Sequence, residues 1–235
     1  MAWTFVQGTS IQFGVISSTN TLAYGSNVAV GDLLIVDVAT NNTSLSGIVV
    51  GDSQGNTYSS AGNTAQVGLA LLTFYTLAKA SGANTVSITP TGAAANVTVA
   101  LHEYSGNAAS SPFDTFNANA TLTPTTSLTT GTVPVDNPGE MIHAAFAQNS
   151  VNDVYGPGSG FTTREDQNNG AVNVSLYTMD GFPFSTGTAA TVSSTASVAY
   201  VAVGTSWIPG GSTVDNLPWL PRQVVREEVV EYLYQ

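Results

Sequence analysis

The chain has 235 residues, no cysteine, 8% charged and 43% hydrophobic residues, and a formal net charge of −11. Charged residues ordinarily make up about a quarter of a soluble domain, so Thr, Ser, Asn and Gly must wet this surface, while the apolar content argues against intrinsic disorder. Lys79 and Arg164 are the basic residues before position 222, which excludes a groove that neutralises nucleic-acid phosphates or an anionic membrane surface as partner, and no apolar run reaches the ~18 residues of a membrane span.

The start, Met1-Ala-Trp-Thr-Phe-Val, lacks the basic and apolar regions of a secretory signal, so export by the general route is not expected. Period-two alternation then predicts strands in chain order at 3–6, 33–38, 69–77, 85–88, 97–104, 141–146, 172–179 and 200–208. These runs are rich in Val, Ile, Thr, Tyr and Phe, which suit a pleated, half-buried surface. Between them lie clusters such as Gly51-Asp52-Ser53-Gln54-Gly55-Asn56, Ser81-Gly82-Ala83-Asn84 and Asp136-Asn137-Pro138-Gly139. Their residues tolerate positive φ or hydrogen-bond their own backbone, and they read as turns. Helical periodicity is missing from 1–209. The expectation is an all-β domain over 1–209: a two-sheet antiparallel β-sandwich of jelly-roll or double Greek-key type.

Composition changes after Ile208. Residues 210–221 read as a Gly/Pro linker, since Gly and Pro break both kinds of ladder. Within it, Leu217-Pro218-Trp219-Leu220-Pro221 carries large apolar groups with no room for a regular element. Residues 222–235 read as a short amphipathic helix with Val225, Val229 and Leu233 on one stripe and Gln223, Glu227 and Glu231 on the other. A β arm is the alternative, because Val-Val and Tyr-Leu-Tyr favour strands. Leu217, Trp219, Leu220, Val225, Val229 and Leu233 are the candidate partner-docking residues.

A weak internal repeat runs through the body. Gly31-Asp32-Leu33-Leu34-Ile35 parallels Gly139-Glu140-Met141-Ile142-His143, at an offset of 108. Leu72–Thr76 parallels Val174–Thr178 at 102, and Val97–Tyr104 parallels Tyr200–Trp207 at 103. Two similar strand sets fit a pseudo-symmetric double Greek key. The segments Gly-Asp-Leu-Leu-Ile-Val (31–36), Asp-Ser-Gln-Gly-Asn-Thr-Tyr (52–58), Glu-Tyr-Ser-Gly (103–106), Ser-Pro-Phe-Asp (111–114) and Gly160-Phe161-Thr162-Thr163-Arg164-Glu165 resemble a jelly-roll-like β-sandwich module of unassigned role. That module recurs in bacterial secreted proteins and phage structural proteins. The resemblance spans about residues 28–208; it implies the fold and a surface or carbohydrate-associated role, and carries over no catalytic residue.

No catalytic constellation emerges. His102 and His143 have no metal-ligand partner at short spacing, and they read as hydrogen-bonded or surface strand histidines, so neither metal nor cofactor is expected. No Gly-x-Ser-x-Gly elbow occurs. The adjacent pair Glu165-Asp166 would point to opposite faces of a strand, which does not suit a glycosidase. Asp52, Asn56, Asp114, Asp153 and Asp180 sit at predicted turns, where Asx-turn chemistry accounts for them without calcium. Trp3 and Trp207 read as core. Tyr155, in Val154-Tyr155-Gly156-Pro157-Gly158, reads as a loop-tip aromatic and the candidate glycan contact.

A composition suited to the extracellular world without an export signal fits a phage virion protein, assembled in the cytoplasm and released by lysis. The functional expectation is therefore a non-enzymatic structural protein on the virion surface, as a capsid decoration, fibre or tail-associated subunit. It would assemble as a homo-oligomer or on other virion subunits through its C-terminal segment, and a module binding cell-surface glycan is the alternative.

Overall fold

The computed structural model describes residues 2–42, 47–149, 153–168 and 174–211. Every regular element among them is a strand, and all pairings are antiparallel. The first half comprises β1 (Thr4–Ile16), β2 (Asn20–Ala23), β3 (Leu33–Thr40), β4 (Ile48–Asp52), β5 (Ser59–Gln66), β6 (Leu69–Leu77), β7 (Thr85–Pro90) and β8 (Ala95–Ser105). They form a sheet in the order β1-β8-β3-β6-β5 and a smaller one in the order β2-β7-β4.

The reason is legible in β3, Leu-Leu-Ile-Val-Asp-Val-Ala-Thr, which is buried at every position. A strand covered on both faces needs a continuous apolar run rather than alternation. Leu34, Val36 and Val38 pack with Val86 and Ile88 of the small sheet. Leu33, Ile35 and Ala39 point the other way, into clusters shared with the second half. Each such side chain contributes about 1.5–3 kcal/mol by leaving water.

The second half comprises β9 (Phe113–Val133), β10 (Glu140–Gln148), β11 (Tyr155–Pro157), β12 (Thr162–Gln167), β13 (Ser175–Phe184) and β14 (Thr188–Trp207). Its sheet runs β11-β14-β10-β13-β12, with β9 also paired to β14. β9 and β14 each act as two strands. Thr188–Ser193 pairs with the end of β9 and, through Val192–Ser194, with β11, whereas Tyr200–Trp207 pairs with the start of β9 and with β10. The register breaks between Ser193 and Val198. Leu128, Val133 and Val192 thereby fold over Phe146, Tyr177 and Met179 to close a second core.

The start of β9, the end of β14, β10, β13 and β12 thus repeat the neighbour order β1-β8-β3-β6-β5, and the remaining pieces repeat β2-β7-β4. The repeat in the sequence matches equivalent strands: β3 with β10, β6 with β13, β8 with β14. The expected single two-sheet sandwich is corrected accordingly. Among the described residues the body has three sheets and two double-layered halves, whose large sheets pack face to face through Leu69, Leu71, Ala145, Leu176 and Val203 and through Trp3, Leu33, Tyr104, Met141 and Trp207.

Trp3 and Trp207 are core, as expected. The body extends one residue into the expected linker: Pro209 bridges Asn107, and Gly210 N–H donates to Gly106 O at 2.6 Å. Gly106 itself adopts φ +90, and a Cβ there would lie 2.2 Å from Ala2 O, so no side chain fits. The expected helix and the docking residues Leu217, Trp219, Leu220, Val225, Val229 and Leu233 lie outside the described residues.

Candidate functional site: a polar seam between the halves

The contact between the large sheets is apolar at both ends and polar at its centre. Asp37 projects from β3, His102 from β8 and His143 from the facing β10, and each is at most 1% exposed. Their positions follow from strand periodicity, since odd-numbered residues of β3 and β10 face the opposite half. A buried carboxylate needs partners to offset its lost hydration, and here they come from both halves. His143 Nε2–H donates to Asp37 Oδ2 at 2.7 Å, and Thr73 Oγ1 donates to Asp37 Oδ1 at 2.6 Å.

The seam extends outward from this pair. Tyr104 OH lies 3.2 Å from His143 Nδ1, and the charge of Asp180 acts on the same hydroxyl. Arg164 grips Asp180 with two bonds, Nε to Oδ2 at 2.7 Å and an Nη to Oδ1 at 2.8 Å, and its guanidinium stacks 4.1 Å from the Phe5 ring centre. On the other side, His102 Nε2 lies 2.9 Å from Thr178 Oγ1, which also accepts Glu165 N–H. His102 Nδ1 stands 3.6 Å from Asp37 Oδ2, too long for a hydrogen bond, and has no hydrogen-bond partner among the described residues.

Electrostatics follow the geometry. Burial pushes the Asp37 carboxyl up, but His143, His102 and the Thr73 hydroxyl outweigh it and hold the carboxyl below its ordinary value. Burial, reinforced by His143, lowers His102 to about 3 and keeps it a neutral imidazole at physiological pH. Burial and the Asp180 charge push the Tyr104 hydroxyl well up. Such a cluster can share protons or hold an ion. It offers nothing to a bulky substrate, because Asp37, His102 and His143 are covered unless the halves part.

The histidines expected to be unremarkable are therefore brought together, and their third partner, Asp37, was missed. The signal was present: a lone carboxylate inside Leu33-Leu-Ile-Val-Asp37-Val-Ala. His102 and its neighbour Glu103 are both fully buried, on opposite faces of β8; Glu103 Oε1 accepts Ala29 N–H at 2.8 Å.

The other candidates have local duties. Asp52 accepts Gln54 N–H and Asn56 N–H at Oδ1, and Asn56, Tyr58 and Asn84 side chains at Oδ2, so the Asp52–Tyr58 motif is a self-wired turn. Asp153 takes the N–H groups of Val154, Thr195 and Ala196 and the Thr195 hydroxyl. Asp114 and Asp180 lie in β9 and β13 rather than in turns. Tyr155 is corrected from a loop tip to β11. Its ring centre lies 5.0 Å from that of Tyr177, Gln148 Nε2 donates to its hydroxyl, and burial pushes that hydroxyl up.

At one end of the body an apolar cleft opens between Trp3, Pro138, Phe182, Pro183, Pro209 and Gly211, with Trp3 Nε1–H donating to Gly139 O at 3.1 Å. Compared with known proteins, the chain matches no family model, no curated protein and no solved structure.

Proposed function

We propose that this protein is a non-enzymatic structural subunit of a virion exterior: a capsid decoration, fibre or tail-associated protein whose two halves are jelly-roll units in tandem. The strand orders 1-8-3-6 and 2-7-4 support the jelly-roll reading. The observation that carries the functional reading is the apolar cleft at the root of the C-terminal segment. Pro209 and Gly211 form its wall, and the chain then continues to Leu217, Trp219, Leu220, Val225, Val229 and Leu233. The body supplies an acidic, Thr/Ser/Asn-wetted exterior, and the segment supplies the apolar groups that attach it to the next subunit. At about 1.5–3 kcal/mol per large side chain buried, less the entropy of ordering, many copies make weak contacts durable.

The test compares the full chain with a chain ending at Gly211 by sedimentation. The full chain is expected to assemble and the shortened one to remain a folded monomer. Equal masses in solution would overturn the attachment role.

A further inference from the structure

We propose that Asp37, His102 and His143 bind one divalent transition-metal ion of the zinc class, which staples the two halves of the body together. One ligand atom from each of the three residues lies within 4.8 Å of the other two. Asp37 and His102 belong to the first half and His143 to the second, so the ion would bridge the seam. Ligands in a tetrahedral zinc site, with bonds of about 2.0–2.2 Å, sit about 3.3 Å apart. The 3.6 Å between His102 Nδ1 and Asp37 Oδ2 is close to that, and the 2.7 Å between His143 Nε2 and Asp37 Oδ2 opens by about 0.6 Å.

One ring nitrogen in the cluster stands without a partner. His102 Nδ1 is buried with no hydrogen-bond partner among the described residues and faces Asp37 Oδ2 across 3.6 Å. An ion held by His102 Nδ1, His143 Nε2 and Asp37 Oδ2 would give that nitrogen its partner. The far ring nitrogens already face hydroxyls, so that His143 Nδ1–H would donate to the Tyr104 oxygen across 3.2 Å and His102 Nε2–H to Thr178 Oγ1 across 2.9 Å. The second ring nitrogen of a metal-bound histidine characteristically has such a partner, and Thr73 fixes the remaining carboxylate oxygen.

The donor set selects the ion. Two imidazoles and one carboxylate suit zinc and its transition-metal neighbours, whereas calcium and magnesium prefer oxygen ligands throughout. Three protein ligands leave a fourth position, which water takes in sites of this composition. A chain with no cysteine has no disulfide to join its halves, and this ion would do that work.

The test uses the full chain, unfolded in chelator and refolded with or without Zn²⁺, so that burial cannot hide the site. We expect one equivalent retained after desalting and a Tm about 5–10 °C higher at a hundredfold excess over Kd. Both effects should be lost in His102→Gln and His143→Gln. Refolding with Co²⁺ should give the intense visible bands of a four-coordinate site, a readout that stands even if the variants do not fold. Failure to retain zinc, retention unchanged in both folded variants, or only the faint spectrum of octahedral cobalt would each overturn the site.

Discussion

The two halves share a neighbour order but differ in how the outer layer is made. In the first half it is a separate sheet of short strands; in the second it is the continuation of β9 and β14. Continuity is decided at the bends. Thr121 and Thr125 accept the N–H groups of Thr123 and Ser127 with their hydroxyls, which satisfies the backbone where β9 turns over the core. Asp153 does the same for Thr195 and Ala196 where β14 turns. The inward pattern of apolar residues sets the architecture, and a few hydroxyls and one carboxylate determine whether a strand is cut or merely bent.

The halves differ again at the seam. By the sequence repeat, Asp37 corresponds to Ala145, His102 to Thr205, and His143 to Ile35. Each half supplies what the other lacks, so the polar cluster forms only when first meets second. The strongest way to break this relation is His143→Ala, which strands the Asp37 carboxylate in the interior. We expect the unfolding free energy of the chelator-treated protein to fall by about 3–5 kcal/mol in denaturant titration. Adding Asp37→Ala should cost less than the sum of the single changes, with a coupling of at least ~1 kcal/mol.

A second contrast lies at Gly204, which stands where the first half has Leu101. A Cβ at Gly204 would meet Val133 Cγ2 at 2.5 Å, because the bent β9 passes close over it. Gly204→Ala is therefore expected to lose about 1–3 kcal/mol by overpacking, read from the thermal transition.

The turn aspartates sharpen the comparison through pH. Burial raises the Asp153 carboxyl, but bonds from Ser194, Thr195, Ala196 and Gln148 outweigh it and bring it to about 2, below the ~3.9 of an unfolded chain. The lowered value means its stabilisation is present above about pH 4 and lost as pH falls toward 2. Asp153→Asn should flatten that part of the acid-unfolding curve; an unchanged curve would contradict the assignment. Asp32 behaves oppositely: burial and Glu103 raise it to about 6. Its contribution is complete below about pH 4 and is lost as pH rises through about 6. Asp32→Asn should therefore raise Tm at pH 7.5 by about 2–4 °C, the smallest of these effects.

The sequence made the strands with apolar faces readable: Leu69–Leu77 is a strand over that whole span, and β3, β8 and β10 lie within two residues of expectation. It concealed β5, Ser-Ser-Ala-Gly-Asn-Thr-Ala-Gln, and most of β9, where Asn, Thr and Pro carry little alternation. Those strands are specified by their partners rather than by their own residues. The site was hidden for a related reason. Motif spacing finds ligands on one element, whereas Asp37, His102 and His143 converge from three strands across two sheets. The lone Asp in an apolar strand and two histidines in similar runs were the available clue, and topology was needed to join them.

A buried cluster that welds the two units together must protect both sides of the seam at once. Hydrogen exchange of the intact protein and of His143→Gln tests this most directly. Exchange should accelerate in β3, β8, β10 and β13 together, on both sides of the seam, while Val86 and Ile88 in β7 stay protected within the first half's own core. Unchanged protection in all four seam strands would contradict it.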